Sequence, residues 1–525
     1  MSKRKYYLTA PVYDARSAPD LQSLYTAILC DAIARHKRMC GRDVAYLSGT
    51  DAHGADLAST GEPEGAERAA SLQRNDKKHE QLLQMADVHP THLQRSGSAE
   101  HILAVQTLLR RILQRSRQAI YQDRYEGRYC PHDEIDVSDS AAPADCAICG
   151  RAAVLISEDR HFFRLSAYQK PLMAIYKYHP EFIQPQSRLN EIRSAVAAGL
   201  RDIPISRTPG ARGIPWPDDA HRMVHERCAE LAGYLSAIGF GEGGYGSEEF
   251  KRFWPANLHV IGRRALRSHA VEWLAFLMAA DLPVPRHVFA HGALSFEREG
   301  TDQAFFPEPM VRALGSDAVR YSLLCEVGYG EDGRVDADGI VRRYNEELAE
   351  GLASLASRVL ALVARHCDGK IPTQSLLAGM DRTVEIVSGH TQAEVRFLLD
   401  SFNFSEGIKK IWSLVAITDK LLRDNARLEL ATDSSEKRRF SDVLHDACEE
   451  LGWIALLLHP ILPRATDAIW RGLGQRTRLE DQLVDETPWT CLRPGTTIGK
   501  LETLFPKVDD LQNLVPAKPH VSPSG

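Results

Sequence analysis

Three cysteines lie close together in a stretch of the chain that is rich in aspartate, serine and alanine. Cys130 is followed by His132 and Asp133, and Cys146 is followed by Cys149. Two such pairs about a dozen residues apart have the spacing of a zinc knuckle, in which two turns each supply two ligands to a tetrahedral ion. This pattern predicts a structural zinc site with three cysteines and either Asp133 or His132. The alternative is a relic of a knuckle, held by packing alone, because an oxygen ligand weakens a thiolate zinc site.

Two loops near the N-terminus form a second candidate site, residues 10–23 and 48–54. A short β-prone segment precedes each loop, at 6–9 and 44–47, and apolar residues at helical spacing predict a helix over 21–40. Together these segments form one βαβ unit. Ligands of open α/β sheets bind just outside the carboxyl ends of the strands. We therefore expect both loops to face one pocket.

The overall composition is that of a soluble globular protein. The chain has 525 residues, of which 44% are hydrophobic and 26% are charged, and its net charge of −6 gives no overall attraction to nucleic acid. No apolar run reaches the roughly 18 residues of a membrane span, and the basic N-terminus lacks the apolar segment of a secretory signal. We expect a cytoplasmic protein with no membrane partner. The ten cysteines, mostly scattered through helical segments, agree with a reducing compartment.

The hydrophobic pattern changes several times along the chain, which predicts several domains. Doubly wound α/β patterning alternates with a turn-rich segment and then gives way to long amphipathic helices typical of an α-helical bundle. The predicted divisions are the first half of an α/β domain (1–120), an insertion (121–225) with the knuckle-like segment at 128–155, the second half of the α/β domain (226–330), a linking stem (331–375), a helical domain (376–510) and a disordered tail (511–525).

Short segments in a fixed order resemble the methionyl-tRNA synthetases, a family of class I aminoacyl-tRNA synthetases. The similarity spans about residues 5–510, and its strongest anchors are residues 47–54, 125–130, 162–165, 182–185, 205–208, 253–256, 290–292 and 504–507. The resemblance implies a Rossmann-like doubly wound catalytic domain, a zinc-knuckle connective insertion and an α-helical anticodon-binding-like domain. The divisions given above agree with that arrangement.

Members of this family activate methionine with ATP, supported by Mg²⁺, and transfer it to tRNA. The first of their two ATP signatures, His-Ile-Gly-His, corresponds here to Asp20, Leu21, Gln22 and Ser23. A carboxylate at position 20 repels a triphosphate, and Gln22 places a side chain where the resemblance puts the base. The signature normally uses the positive end of a helix and a glycine that allows close approach of the nucleotide.

The second signature, Lys-Met-Ser-Lys-Ser, falls on a loop that here contains Glu297, Arg298 and Glu299. The loop has one cation among acids. Loss of one preorganised donor to a developing charge costs about 3–4 kcal/mol of transition-state stabilisation. Loss of both signatures therefore predicts a fall of many orders of magnitude in adenylate formation.

The resemblance also implies an amino-acid pocket. Asp51 corresponds to the carboxylate that holds the amino group, Tyr13 to the tyrosine beside the thioether, and His269 to the pocket histidine. Each has a structural alternative, as a cap, a core aromatic ring and a satisfied core histidine. On the nucleotide side, the corresponding residues are Gly262, Arg263, Arg264, His291 and Gly292.

Several substitutions alter the expected recognition surfaces. Arg227 replaces a pocket tryptophan and, with Asp14, Arg16 and Arg264, would give the cleft a charged lining that suits a small zwitterionic or acidic ligand. The tryptophan that stacks on the anticodon corresponds to about Leu428. Because a base-stacking platform needs an aromatic face, this speaks against tRNA binding.

Three hypotheses follow. The first is a pseudo-synthetase that has lost aminoacylation and serves as an amino-acid-binding or nucleotide-binding module, or as a regulatory module with a partner protein. The second is an ATP-dependent enzyme that activates a different amino acid, as in natural-product pathways, with Arg263, Arg264 and Arg298 replacing the lost cations. The third is a methionine–tRNA ligase with divergent signatures.

Overall fold

The computed structural model describes residues 4–51, 63–130, 135–137, 145–146, 150–207, 213–297, 307–374, 383–484, 487 and 490–508. The predicted tail at 511–525 lies outside these ranges, as do His132, Asp133, Cys149, Arg298 and Glu299. The side chain of Glu297 is likewise not described.

The strands, in chain order, are β1 (Lys5–Thr9), β2 (Tyr13–Asp14), β3 (Asp43–Asp51), β4 (His92–Arg95), β5 (Ile120–Cys130), β6 (Ile135–Val137), β7 (Val154–Phe163), β8 (Ile183–Gln184), β9 (Ile203–Pro204), β10 (Ser206–Arg207), β11 (Pro215–Trp216), β12 (Asp219–Val224), β13 (Leu258–Gly262), β14 (Val288–His291), β15 (Leu294–Glu297) and β16 (Gly333–Asp336).

The α-helices are α1 (Leu21–Met39), α2 (Pro63–Met85), α3 (Ala99–Arg115), α4 (Gln169–Tyr178), α5 (Gln186–Ala197), α6 (Glu226–Ser236), α7 (Glu248–Phe253), α8 (Trp273–Ala279), α9 (Glu308–Glu326), α10 (Ala337–Arg343), α11 (Ser354–His366), α12 (Thr383–Asp400), α13 (Phe404–Asp424), α14 (Ser434–Leu458) and α15 (Pro463–Gly472). Two π-helical segments, Ser268–Glu272 and Tyr344–Ala353, lead into α8 and α11.

A parallel sheet organises the first 330 residues. Its strand order is β2-β3-β1-β13-β14-β8, with β4 paired to β3, and each of these pairs is parallel. Helix α1 connects β1 to β3 on one side, and α8 connects β13 to β14 on the other. The topological switch therefore lies between β1 and β13, and the crevice beyond their carboxyl ends is where such folds bind ligands.

Burial explains why these segments are strands. Almost every residue of β3 is buried, as expected for a parallel strand covered by helices on both faces. Helix α1 begins at an N-cap aspartate, Asp20, and its last turn carries His36, Lys37 and Arg38, which complement the helix dipole. The predicted βαβ unit is present in this form.

The insertion contains more strand than the sequence pattern predicted. Instead of a turn-rich segment, β5 and β7 form a long antiparallel pair, flanked by β6 and β9. Apolar residues at helical spacing predict helices over 101–120 and 221–238, but α3 ends at Arg115, and α6 begins at Glu226 because β12 occupies Asp219–Val224. In both places, pairing with a neighbouring strand in the folded protein outweighs the local helical spacing of apolar residues.

The C-terminal region is helical, and a buried ion-pair network joins it to the sheet domain. Arg320 of α9 contacts Asp31 of α1 at 2.8 Å with both side chains fully buried. The same guanidinium donates to the carbonyl oxygens of Pro460 and Ile461, between α14 and α15. The two parts of the molecule are thus connected through charged groups as well as apolar packing. The molecule is a mixed α/β fold with a helical C-terminal region.

Candidate functional site

The amino end of α1 is closed by its own side chain. Oδ1 of Asp20 accepts hydrogen bonds from the backbone N–H of Ser23 at 2.8 Å and from the Ser23 hydroxyl at 2.6 Å. A free helix amino end is a binding site for phosphate because its N–H groups have no partner. Here the Asp20 carboxylate of the chain itself occupies that position, and its negative charge offsets the positive end of the helix dipole.

Gln22 spans the gap between α1 and the segment after β14. Its Oε1 accepts a hydrogen bond from the backbone N–H of Leu294 at 2.7 Å, and its Nε2 lies 3.4 Å from Nδ1 of His291. The Gln22 side chain thus joins α1 to the start of β15. That Gln22 stands where the base of a nucleotide would pack stays a prediction.

His291 and Gly292 are fixed by backbone geometry. His291 is fully buried, its Nδ1 lies 2.8 Å from the carbonyl oxygen of Gly292, and its Nε2 lies 2.9 Å from the hydroxyl of Thr26. Burial lowers the pKa of His291 to about 4, so the ring is neutral at pH 7. A side chain at position 292 would clash with the backbone of Glu331, which explains the glycine.

The remaining nucleotide-side candidates divide into two groups. Gly262 ends β13 beside β14, and the two residues Gly262 and His291 are register partners. Arg263 and Arg264 are exposed, and Arg263 contacts Glu191 of α5 at 3.5 Å. Arg263 therefore points along the surface toward α5, where a carboxylate engages it.

Tyr13 and Asp51 meet at the carboxyl end of the sheet. Thr50 of β3 is the register partner of Tyr13, and Asp51 is the partner of Asp14. The Tyr13 hydroxyl donates to the carbonyl oxygen of Ser23 at 3.1 Å, and Asp51 is only 4% exposed. The structure thus brings residues 13–23 next to residues 50–51, as expected from the βαβ unit. Residues 48–51 belong to β3, and residues 52–54 of the second predicted loop lie outside the described residues.

A small cavity lies beside this loop junction. Its volume is about 230 Å³, and its lining includes Tyr13, Asp20, Ser23 and His79. The His79 ring lies 4.6 Å from the Tyr13 ring, is buried, and has no hydrogen-bond partner on either nitrogen among the residues that the structure describes. Burial lowers the pKa of His79 to about 4, so this wall of the cavity is polar but uncharged at neutral pH.

The inner wall of the cleft is a hydrogen-bonded group of aromatic and histidine rings. Nδ1 of His269 lies 2.9 Å from the carbonyl oxygen of Ala265, which places the ring proton on Nδ1. Nε2 therefore accepts the hydrogen bond from the Tyr234 hydroxyl, at 2.6 Å. Burial lowers the pKa of His269 to about 4. This neutral histidine orients Tyr234, whose own carbonyl oxygen accepts a hydrogen bond from Tyr7 at 2.8 Å.

Two carboxylates of this region were not predicted from the sequence. Glu230 stands one turn before Tyr234 on α6, and Glu272 ends the π-helical segment that carries His269. Glu272 is 1% exposed and contacts Arg227 at 3.3 Å and Arg267 at 3.6 Å. The signal that could have revealed Glu230 is its spacing, because residues 227, 230 and 234 share one face of a helix.

Two of the four predicted zinc ligands lie within the described residues. Cys130 ends β5, and Cys146 lies in a turn in which its N–H donates to the carbonyl oxygen of Arg151 and its own carbonyl oxygen accepts from the N–H of Gly150. Both cysteines are buried. The turn at Cys146 fits a knuckle, but Asp133 and Cys149 lie outside the described residues. The zinc site therefore stays a prediction.

A second group of potential metal ligands joins α1 to α12. The ligand atoms of His36, Cys40 and Asp400 lie within 4.8 Å of one another. However, the Lys37 ammonium contacts the same Asp400 oxygen at 2.6 Å that His36 approaches at 2.9 Å. A cation is thus already in place beside Asp400, and the group serves as a polar contact between the α/β domain and the helical region.

The residue that corresponds to the anticodon-stacking tryptophan is inside the protein. Leu428 is 4% exposed and belongs to the main hydrophobic core. It therefore offers no face to a nucleic acid base. Separately, none of the helices among the described residues is both long and apolar enough to cross a membrane.

Comparison with known proteins gives consistent matches. The family model for class I tRNA synthetases (M) matches residues 6–151 and 138–360. A methionine–tRNA ligase of Caldanaerobacter subterraneus subsp. tengcongensis is 32% identical over 512 residues, covering 97% of this chain and 79% of the relative. A methionine–tRNA ligase of Mycobacterium tuberculosis is 34% identical over 523 residues, covering 96% and 98%.

The fold matches solved structures of the same kind. Mycobacterium tuberculosis methionyl-tRNA synthetase in complex with methionyl-adenylate superposes with a TM-score of 0.86 at 32% identity, covering 96% of this chain and 100% of that one. The names of these relatives favour the ligase hypothesis over the pseudo-synthetase hypothesis, which was the first expectation from the sequence, and they weigh against a loss of tRNA binding. With a matching family model, full-length relatives and a common fold, the chain belongs to the methionyl-tRNA synthetase family of class I aminoacyl-tRNA synthetases.

Proposed function

We propose that this chain is an amino-acid-binding member of the methionyl-tRNA synthetase family in which adenylate formation through the two family signatures has been lost. The observation that carries the proposal is the hydrogen bond between Gln22 and Leu294, which bridges the nucleotide side of the cleft. The Asp20 cap supports it, because the negative carboxylate stands at the helix end where a triphosphate would need positive potential.

The amino-acid side of the cleft supports binding. Asp51 supplies a buried carboxylate for an ammonium group, and Tyr234, held by the neutral His269, supplies a rigid wall. These groups are positioned by three separate elements of the fold, so the pocket does not depend on the altered signatures. A zwitterion could be held there by hydrogen bonds and charge while the nucleotide side stays closed.

ATP does not fit this site in the manner of the family. The position of the first signature is filled by Asp20, Gln22 and Ser23 side chains that bond to one another or to the backbone of Leu294. We therefore assign no step to ATP. The ligand-binding step rests on Asp51, Tyr13 and the wall formed by Tyr234 and His269.

The second candidate is the methionine–tRNA ligase reaction. The identity to ligases over nearly the whole chain, and the common fold with a methionyl-adenylate complex, favour it. In that case the exposed Arg263 and Arg264 would have to supply the positive charge for ATP that the altered signatures no longer provide.

Two measurements on the purified full chain distinguish these candidates. Calorimetric titration with a panel of amino acids tests binding, and amino-acid-dependent exchange of pyrophosphate into ATP tests activation. The proposal expects binding without exchange, and loss of binding in Asp51→Asn. Exchange with methionine together with charging of tRNA would establish the ligase. Exchange with another amino acid alone would establish an activating enzyme of altered specificity.

A further inference from the structure

The insertion sheet, which consists of β5, β6, β7 and β9, contacts the start of α6 through a histidine. His225 is the N-cap residue of α6, and its Nδ1 accepts a hydrogen bond from the backbone N–H of Arg227 at 3.3 Å. On the other side of the ring, Nε2 lies 3.4 Å from Oδ2 of Asp136 in β6. His225 is 7% exposed, so this contact is shielded from water. The ring therefore stands between the insertion sheet and the first turn of α6.

The contacts of the two ring nitrogens select one tautomer of His225. A nitrogen that accepts a hydrogen bond carries no proton, so the ring proton of the neutral histidine belongs on Nε2. There it faces the Asp136 carboxylate, which favours this tautomer and fixes the plane of the ring. The opposite tautomer would place a proton on Nδ1 against the Arg227 N–H, and the cap of α6 would be lost.

Asp136 is itself held in place by a buried arginine of the insertion sheet. Arg160 of β7 donates to both carboxylate oxygens of Asp136, at 2.7 and 3.0 Å, and it also donates to Glu158. The Arg160 guanidinium lies 3.7 Å from the centre of the Tyr125 ring. Burial disfavours the charged form of Asp136, but hydrogen bonds from His225 and Arg160 hold its pKa below the ordinary value. Asp136 is therefore a fixed negative charge at neutral pH.

Helix α6 connects this capped end to the wall of the amino-acid pocket. The Arg227 side chain contacts Glu272 at 3.3 Å, and two turns later the Tyr234 hydroxyl contacts Nε2 of His269 at 2.6 Å. Glu272 and His269 belong to the same π-helical segment, so two contacts join that segment to α6. A change in the first turn of α6 would therefore disturb the wall that Tyr234 and His269 form.

We infer that Asp136, a residue of the insertion sheet, is a positioning residue for the amino-acid pocket. It holds His225 in the tautomer that caps α6, and the cap in turn keeps the two contacts between α6 and the pocket wall. The affinity of the pocket for an amino acid thus depends on the position of the insertion sheet. This inference rests on the proposed function of the pocket, but the link from Asp136 to His269 can be measured without a ligand.

Binding measurements on double variants test whether Asp136 acts through His225. Asparagine is a good N-cap residue, so His225→Asn keeps α6 capped without the ring that reaches Asp136. Calorimetric titration of the full chain uses each of the twenty standard amino acids as a probe, and the variants are compared with the probe that the wild type binds most tightly. Asp136→Asn alone should weaken this binding about 5- to 20-fold, within the range for residues of one hydrogen-bond network. In the His225→Asn background, the same substitution should change binding by less than about twofold.

Asp159→Asn is the matched control, because it removes an exposed carboxylate from the same sheet, and it should bind the probe as the wild type does. An equal loss of affinity on Asp136→Asn in both backgrounds would show a general effect on folding and would overturn the inference. Unchanged binding in Asp136→Asn would overturn it as well. If Asp136→Asn does not fold, His225→Leu takes its place. Binding should then be weakened in His225→Leu and restored in His225→Asn, and equal binding in His225→Leu and wild type would contradict the inference.

Nuclear magnetic resonance of the ligand-free chain, isotope-labelled in its histidine rings, separates this inference from the proposed function. His225 should carry its proton on Nε2 and His269 on Nδ1, and Asp136→Asn should shift the ring signals of both. If the wild type binds none of the twenty amino acids, the proposed function fails, yet these shifts would still establish the link from Asp136 to His269. Unchanged His269 signals in Asp136→Asn would overturn the inference whether or not an amino acid binds.

Discussion

Gln22 and Leu294 are 272 residues apart in the chain, yet the Gln22 side chain accepts a hydrogen bond from the Leu294 backbone N–H at 2.7 Å. This contact joins the first turn of α1 to the start of β15, across the end of the parallel sheet. We propose that this contact forms a closed seam on the nucleotide side of the cleft. We therefore expect two properties of the protein to depend on it, namely the stability of the seam and access by a nucleotide.

Gln22→Ala should open the seam. The variant leaves the Leu294 N–H without its partner, which should cost about 1–3 kcal/mol of unfolding free energy. It should also raise the affinity for AMP at least tenfold, because the base gains space. Denaturant unfolding and calorimetry measure the two effects. Gln186→Ala is the matched control, since Gln186 is an exposed glutamine in the first turn of α5. Equal AMP affinity in wild type and Gln22→Ala would contradict the role assigned to the bridge.

Cys146→Ser tests the predicted zinc knuckle. Purified protein should contain about one zinc ion per chain, and the variant should lose it and unfold at a lower temperature, because structural zinc contributes directly to folding. Elemental analysis and thermal unfolding measure this. Cys40→Ser is the control, because Cys40 belongs to the group with His36 and Asp400 that Lys37 already neutralises. Wild-type protein without zinc would contradict the predicted knuckle. Loss of zinc only in Cys40→Ser would show that the metal binds to the second group instead.

Asp31→Asn should destabilise the connection between the α/β domain and the helical region. Burial works against the charged carboxylate, but Arg320 and Arg35 together hold the pKa of Asp31 below its ordinary value. Removing one partner of a buried pair leaves an uncompensated charge on Arg320 and should cost about 3–5 kcal/mol. Glu308→Gln, which breaks an exposed pair with Arg312, should change the unfolding free energy by less than about 1 kcal/mol.

The pH dependence of Asp31→Asn provides a second check. A carboxylate whose pKa is lowered on folding stabilises the protein above its unfolded pKa and loses that contribution as the pH falls toward the folded value. The wild type should therefore lose stability more steeply than Asp31→Asn below about pH 4. Parallel acid unfolding curves for the two proteins would argue against a charged Asp31.

For Glu230, unlike Asp31, folding raises the pKa, so Glu230→Gln should change the pH dependence of stability in the opposite direction to Asp31→Asn. Burial, assisted by Asp51, raises the pKa of Glu230 to about 8, so between about pH 4.5 and 8 the folded state holds a proton that the unfolded state has released. Stability of the ligand-free wild type should fall as the pH rises through this window, by at most about 1.4 kcal/mol per pH unit. The charged groups that act on the pKa of Glu230 are Asp51, Glu226 and Asp14, which raise it, and Arg227, which lowers it. The variant should lack this loss, so it should be the more stable protein at pH 8 and equal to wild type at pH 4. A constant difference across this range would contradict the raised pKa.

The sequence by itself determined the family and the parallel βαβ unit, and it predicted the replacement of both signatures. Strand and helix periodicity near the N-terminus is local, and Asp20 caps α1 through residues only three positions away. Such local features can be predicted from the sequence because they depend only on residues that are close together in the chain. In contrast, the insertion was predicted as turns because its strands are stabilised by each other, and β5 pairs with β7 across more than twenty residues.

Only the tertiary structure decided what the cleft contains. Gln22 could be placed by alignment, but its bond to Leu294 depends on how α1 packs against β14 and β15. Glu230 gave no local signal beyond helical spacing, because its raised pKa depends on burial and on the charge of Asp51, a residue of β3 that lies 179 positions earlier in the chain. The electrostatic potential in a buried site is the sum of contributions from residues that are distant in the chain, and these contributions are stronger where water is excluded. A linear sequence does not show which charges will be neighbours.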